Sequence, residues 1–160
     1  MKYTEINDII FSGKQNIAWN EVEQYLRKYD NMEIRIIETG DNVRINSVFA
    51  DEYVNSEYTK KLRGGLAKAK ANLAQVIPEL VANATNRRWI ENKDPKHNEN
   101  AIKGWYRYDV HFAIRVYDGS ERKKYLNYYA ATAVIRINDK GCFLYDVINI
   151  KKEARTPTDH

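Results

Sequence analysis

Hydrophobic positions follow two different spacings along the chain, and the change between them predicts an α+β fold. In residues 18–29, apolar side chains recur every three to four positions, which is typical of a short amphipathic helix. In residues 32–48, apolar and polar side chains alternate on both sides of a Thr-Gly-Asp-Asn turn at 39–42, which predicts a β-hairpin. We therefore expect an N-terminal helix and hairpin, followed by an acidic, irregular segment at 50–57.

The rest of the chain predicts helices followed by strands. Residues 59–83 are rich in Ala and Leu and predict the longest helix, which Pro78 should kink or split because proline lacks the amide hydrogen. After a polar connector at 92–103, three strand-like segments occur at 105–117, 125–138 and 142–150. We expect helices packed on an antiparallel β-meander, with a loose tail beyond Pro157.

Charge is distributed unevenly along the chain. Residues 1–57 hold 6 Lys/Arg against 11 Asp/Glu, whereas residues 58–160 hold 20 against 11. A positive field on one side of a molecule attracts anionic partners, although ordinary solvated faces also explain such a split. We divide the chain into an acidic appendage at 1–57 and a basic domain of helix and antiparallel sheet at 58–157, together forming one compact unit.

Several functional classes are excluded by composition. The single cysteine, Cys142, cannot form an internal disulfide framework, and no apolar run reaches the length of a membrane span. The N-terminus lacks the layout of a signal peptide, so we expect a cytoplasmic protein, in the producing, host or target cell. No metal-ligand spacing and no glycine-rich nucleotide motif occurs, and we expect neither a metal nor another cofactor.

The candidate chemistry comes from His, Lys, Arg and Tyr side chains. Seven of the 12 tyrosines lie between Tyr106 and Tyr145, and aromatic rings beside cations suit base stacking together with phosphate contact, although they equally suit sheet packing. His97 lies beside Lys96 in the polar connector, where it is either a proton acceptor or an exposed loop histidine. His111 falls on the polar face of its strand, where it is either a functional group or a packing residue.

The last predicted strand ends in a suggestive polar run. Alternation directs Tyr145, Val147 and Asn149 to one face, so that a hydroxyl, an amide and Lys151 converge where the sheet ends. Metal-free RNA cleavage needs a base, a cation that stabilises the charged phosphorane, and an acid. The alternative is a strand that ends in solvated lysines.

Several motifs resemble one family. They are Tyr-Thr-Lys-Lys-Leu-Arg-Gly-Gly-Leu-Ala-Lys-Ala-Lys at 58–70, Arg-Trp-Ile-Glu-Asn-Lys at 88–93, Gly-Trp-Tyr-Arg-Tyr at 104–108, and Leu-Tyr-Asp-Val-Ile-Asn-Ile-Lys-Lys-Glu at 144–153. Their order and spacing over residues 18–157 resemble the third of the large polyvalent protein-associated domains of phages and conjugative elements. The layout is also distantly similar to the barnase–EndoU–colicin–RelE ribonucleases.

This resemblance implies a metal-independent ribonuclease-like effector of a mobile element that binds RNA, more readily than DNA, and cleaves it by general acid–base catalysis. The implied catalytic residues are His97, His111, Tyr145 and Lys151. The expected nucleic-acid contacts are Lys61, Lys68, Lys96, Arg107, Arg115, Thr132 and Asn149. The alternative is a non-catalytic mobile-element protein that binds nucleic acid or a nucleoprotein, such as an inhibitor of CRISPR or restriction systems; a neutralising or target protein is a further possible partner. The family's Thr-Ser-Thr pattern is replaced here by Ala-Arg-Thr at 154–156, which weakens any role for hydroxyls there.

Overall fold

One curled sheet with helices on one face forms the α+β fold of the protein. The computed structural model describes residues 1–13, 16–93, 103–118 and 123–158. The predicted site residues Lys96 and His97 lie outside these ranges. No helix within them is long and apolar enough to cross a membrane.

Seven strands within the described ranges form a single mixed sheet that curls into a half-barrel. They are β1 (Thr4–Ile6), β2 (Glu33–Arg35), β3 (Asn42–Arg44), β4 (Thr85–Glu91), β5 (Gly104–Asp118), β6 (Lys123–Asn138) and β7 (Gly141–Thr158). The order is β1-β5-β6-β7-β3-β2, and β4 pairs with β5 on the edge that it shares with β1.

The predicted antiparallel meander is confirmed for β5, β6 and β7 but is wrong as a description of the whole sheet. β1 pairs with β5 in parallel, and β3 pairs with the start of β7 in parallel. The predicted hairpin is confirmed as the antiparallel pair β2–β3. Because each parallel pair joins strands that are distant in sequence, no local turn signal announces it.

The helices follow the predicted order, but α2 is added and the predicted long helix is divided into three. They are α1 (Trp19–Leu26), α2 (Phe49–Asn55), α3 (Glu57–Lys61), α4 (Gly64–Leu73) and α5 (Ile77–Ala82). The segment at 50–57 was expected to be irregular, and this expectation is wrong because α2 buries Phe49, Ala50, Tyr53 and Val54 on one face. The expected split near Pro78 is confirmed, since a 3-10 turn at Ala74–Val76 separates α4 from α5.

The hydrophobic core lies between the helices and one face of the sheet, which we name the inner face. On β5 this face carries the buried Tyr108, Val110 and Phe112, whereas the side chains between them point to the opposite, outer face. A single core cluster takes in residues from both the acidic N-terminal segment and the basic remainder, including Ile36 and Phe112. The two segments therefore share one core.

Strand β7 departs from simple alternation. Its register against β6 shifts between Tyr128 and Tyr129, between Ala130 and Thr132, and between Val134 and Ile135. At each shift β7 carries one extra residue, which reverses the facing of the residues that follow. The expectation that Tyr145, Val147 and Asn149 share a face is wrong for this reason: Val147 is fully buried and Asn149 is exposed.

Candidate nucleic-acid groove

A groove of about 800 Å³ lies where the sheet extends beyond the cover of the helices. One wall is α4, and the other is the edge of β7. The floor is the inner face of the distal parts of β5 and β6, including Ile114, Val116 and Tyr129. We name it the basic groove, because its charged lining residues are all cationic: Arg63, Lys68, Lys151, Lys152 and Arg155.

These five cations have no acidic partner among the described residues. The Arg63 guanidinium donates to the carbonyl oxygens of Lys60 and Leu62, at 2.8 and 2.7 Å. The Arg155 Nε donates to the amide oxygen of Asn127 at 2.7 Å. Since no carboxylate within the described ranges neutralises them, their positive charge acts on whatever enters the groove.

Tyrosine rings line the same groove. Tyr129 is buried and stacks on Phe112 with 4.9 Å between ring centroids, which sets the floor. Tyr125 lies under the Arg155 guanidinium at 5.2 Å, and Tyr117 near the mouth is 60% exposed. Flat aromatic surfaces beside cations are the combination that binds the bases and phosphates of a single strand.

A buried ion pair fixes the α4 wall against β7. Lys70 has no exposed side-chain surface, and its Nζ lies 2.6 Å from the Asp146 Oδ1 and 2.7 Å from the Val147 carbonyl oxygen. Burial lowers the pKa of Lys70 and raises that of Asp146, while their mutual attraction opposes both shifts. Lys70 belongs to the same Ala-Lys run as Lys68, but it is structural: it turns inward, whereas Lys68 turns toward the groove.

Two further contacts complete the walls. The Tyr58 hydroxyl accepts a hydrogen bond of 2.7 Å from the amide of Ile150, which satisfies a backbone donor of β7 beyond its pairing with β3. The buried Asn72 side chain bonds the backbone of Ile10 and Phe11, so the N-terminal segment is held against α4. The groove is therefore built on well-anchored elements.

The structure divides the predicted site residues between two surfaces. Lys68 and Lys151 line the basic groove, whereas Lys61, at the end of α3, is exposed and lines no described part of it. Arg107, His111 and Arg115 alternate with the buried residues of β5 and lie on the outer face, together with Thr132 opposite Asp109. His111 is half-buried there and meets the edge of the Tyr3 ring, 5.6 Å away between centroids.

Tyr145 lies apart from Lys151. It packs against the Trp105 ring at 4.8 Å, and its hydroxyl bonds Glu52 of α2. Burial, followed by the negative charge of Glu52, raises the pKa of Tyr145 to about 12. Five residues of strand lie between Tyr145 and Lys151, and Lys151 lines the basic groove whereas Tyr145 does not. The expected convergence of hydroxyl, amide and lysine therefore does not occur.

The backbone conformation at position 149 explains why this residue is Asn. It lies at a β-bulge and adopts φ 56°, a left-handed conformation that Asn tolerates better than most residues. This accounts for the residue without any contact to a ligand.

Sequence reasoning missed most of the groove. Lys152, Arg155, Tyr125 and Asn127 were not proposed as site residues. The last strand was expected to end at residue 150, so nothing placed Lys152 and Arg155 beside Tyr125 and Asn127. One available signal was the length of β6. A strand from 125 to 138 that turns at 139–140 requires an antiparallel partner extending to about residue 154, which would have placed both cations opposite the tyrosines.

No family model matches the chain, and no curated protein or solved structure matches it significantly. The resemblance to the large polyvalent protein-associated domains therefore stays a prediction.

Proposed function

We propose that this protein binds single-stranded nucleic acid, with RNA preferred over DNA, in the basic groove. The observation that carries the proposal is the lining: five cations and three tyrosines face one concave surface, with no carboxylate among its described residues. Each cation that meets a phosphate releases a counterion, and this release supplies most of the affinity of such complexes.

The tyrosines favour a single strand over a duplex. Base faces in a duplex are covered by neighbouring base pairs, whereas the bases of a single strand can be splayed out and stacked on aromatic side chains. Tyr117 and Tyr125 offer such rings beside Lys152 and Arg155. The resemblance to ribonuclease-related domains favours RNA, since the 2′-hydroxyl gives polar groups a further contact.

Capture is the activity that this lining supports best, and cleavage stays a prediction. Cleavage would require a proton acceptor beside the bound phosphate. His111 lies on the outer face and His97 lies outside the described residues, so no described histidine joins Lys151 in the groove. Capture without cleavage matches the non-catalytic mobile-element protein given above as the alternative.

Binding to fluorescein-labelled single-stranded RNA, single-stranded DNA and duplex RNA, measured by anisotropy in EDTA at several salt concentrations, tests the proposal. We expect single-stranded RNA to bind most tightly. The Lys152→Ala/Arg155→Ala double variant should reduce the slope of log affinity against log salt by about 0.7 for each lost phosphate contact.

The matched control is Arg87→Ala/Arg88→Ala, which removes the same number of cations from the exposed strand β4. These two arginines already bond Asp41 and Asp109, at 2.8 and 3.0 Å. Equal losses in the two double variants, or an affinity insensitive to salt, would contradict the proposal, and salt insensitivity would point to a protein partner. Cyclic-phosphate ends on the recovered RNA would establish cleavage in addition to binding.

A further inference from the structure

A second cavity adjoins the basic groove across the start of α4. It has a volume of about 870 Å³, and we name it the second groove. Its charged lining residues are Lys60, Arg63 and Lys68, again without a carboxylate among the described residues. Trp19, Thr59 and Asn55 supply a ring, a hydroxyl and an amide in the same cavity.

The two grooves share a boundary that carries positive charge. Arg63 and Lys68 line both cavities, so they lie between them. Between Arg63 and Lys68 on α4, Gly65 and Leu66 line the basic groove, and Gly64 and Ala67 line the second groove. A side chain added at either glycine would meet nothing within 4 Å, which shows that the space above the pair is open.

The fold explains one of these glycines but not the other. Gly64 has φ 57°, a left-handed conformation that favours glycine. Gly65 has no such conformation and contacts no neighbour that a side chain would displace. Glycine in the first turn of a helix lowers helix stability relative to alanine, so its presence here lacks a structural reason. A position without a side chain does allow another backbone to approach closely.

We propose that one nucleic-acid strand occupies both grooves and crosses α4 over Gly64 and Gly65, between Arg63 and Lys68. This inference rests on the proposed function and extends it: the ligand is a strand long enough to reach from the tyrosine-lined basic groove to the second groove. The basic groove, with five cations, binds the shorter segment, and the second groove adds contacts that only a longer strand reaches. A continuous phosphate backbone matches two cavities that share the cations Arg63 and Lys68 and meet where two positions carry no side chain.

The chain offers a matched pair of variants for the test. Lys60 lines the second groove and its neighbour Lys61 lines neither, although both are exposed residues of α3. Lys60→Ala and Lys61→Ala thus remove the same charge from adjacent positions. Their affinities are compared for single-stranded RNA from about 4 to about 16 nucleotides, the range of site sizes for folds that bind single strands.

We expect Lys60→Ala to weaken binding of the long RNA, with a salt slope reduced by about 0.7, and to leave the short RNA unchanged. Lys61→Ala should match the unaltered protein at both lengths. Gly65→Gln, a bulky neutral substitution into open space, should lower affinity for the long RNA toward that of the short RNA, whereas Gly65→Ala should have little effect. The same lengths of single-stranded DNA show whether the crossing requires the 2′-hydroxyl.

The outcomes separate this inference from the proposed function. If Lys152→Ala/Arg155→Ala weakens both lengths while Lys60→Ala behaves like Lys61→Ala, the basic groove binds the strand and the crossing is wrong. If Lys60→Ala weakens short and long RNA equally, the second groove is not an extension of the first, and the crossing is again overturned. If no groove variant changes the binding of any RNA, both proposals fail.

Discussion

Two arginine–tyrosine pairs lie at opposite ends of the sheet and differ in what the arginine bonds. In the basic groove, the Arg155 guanidinium lies 5.2 Å from the centre of the Tyr125 ring and donates to the neutral side chain of Asn127. On β4, the Arg87 guanidinium lies 4.5 Å from the centre of the Tyr106 ring and bonds the Asp41 carboxylate. The same residue types thus form a cationic surface in one place and a neutralised structural contact in the other.

The difference extends beyond the two pairs. Arg88 beside Arg87 bonds Asp109, whereas Lys68, Lys151 and Lys152 around Arg155 meet no described carboxylate. The net charge of the basic segment therefore does not report how much positive charge a ligand would experience. Only unpaired cations around a concave surface produce a strong local field.

The largest expected effect comes from Lys70, the cation that is most completely paired. Lys70→Ala would leave Asp146 buried without its partner, and we expect the free energy of unfolding to fall by about 3–5 kcal/mol. Urea denaturation at neutral pH measures this change. If Lys70 were instead a free cation like Lys68, the substitution would change stability by less than about 0.5 kcal/mol.

A double variant provides the control for that experiment. Lys70→Met with Asp146→Leu replaces both charges with apolar side chains of comparable size, and buried pairs replaced in this way often retain their stability. Recovery of most of the lost stability would identify the unpaired Asp146 as the cause. A double variant as unstable as Lys70→Ala would show that the pair contributes through its specific geometry.

Lys70 also marks where sequence reasoning stops. The order of helices, hairpin and three long antiparallel strands could be predicted, because hydrophobic periodicity and turn residues are local signals. Nothing local distinguishes Lys68 from Lys70, which belong to one Ala-Lys repeat. Their different surroundings depend on the path of β7, and that path depends on bulges whose positions no periodicity reveals.

The chemistry of the candidate site could be predicted from the sequence, but most of the residues that form it could not. A basic, tyrosine-rich surface was expected, and the described groove has that composition, yet of the predicted residues that the structure describes only Lys68 and Lys151 line it. Tyr145 was grouped with Lys151 because strict alternation was assumed for β7, which is bulged. His111 was grouped with them through the resemblance, although alternation correctly places it on the polar face of β5. The parallel pairs of β1 with β5 and of β3 with β7 were missed, since both join segments far apart in sequence.

The next largest expected effect is on RNA affinity, and it compares the Tyr125 ring with the Tyr106 ring. Tyr125→Ala should weaken binding of single-stranded RNA by about 1–3 kcal/mol, the range measured when a stacking side chain is removed. Tyr125→Phe keeps the ring and should bind nearly as well as the unaltered protein. Tyr106→Ala removes the ring beneath Arg87 and should leave RNA affinity unchanged, as fluorescence anisotropy would show; a loss equal to that of Tyr125→Ala would place the ligand elsewhere.

The contact of Arg87 with Asp41 predicts that the free energy of unfolding depends on pH in the acid range. Burial alone would raise the pKa of Asp41, but hydrogen bonds from Tyr108, Arg87 and Thr39 outweigh it and lower the pKa below the usual 3.8. A carboxyl whose pKa is lowered by folding adds stability that is present above the unfolded pKa and is lost as the pH falls through the folded pKa. Urea unfolding between neutral pH and acid should therefore show Asp41→Asn less stable than the unaltered protein at neutral pH, with the difference shrinking below about pH 3.8. A difference that stays constant across this range would mean that the Asp41 charge does not contribute.

The smallest expected effects are changes in the free energy of unfolding when each of the two adjacent glycines at the start of α4 is replaced by alanine. Gly65→Ala should raise the free energy of unfolding by about 0.5–1 kcal/mol, because alanine loses less backbone entropy in a helix and its methyl group would meet open space. Gly64→Ala should lower it by about 1–2 kcal/mol, since φ 57° brings a Cβ atom too close to the following carbonyl oxygen. Thermal or urea unfolding of the two variants, which differ only in the position of one methyl group, checks both signs. Stabilisation by Gly65→Ala would mean that the fold does not require this glycine, as expected where another backbone must pass close to α4. Destabilisation would show that the fold itself needs Gly65, and would remove that support for a strand crossing α4.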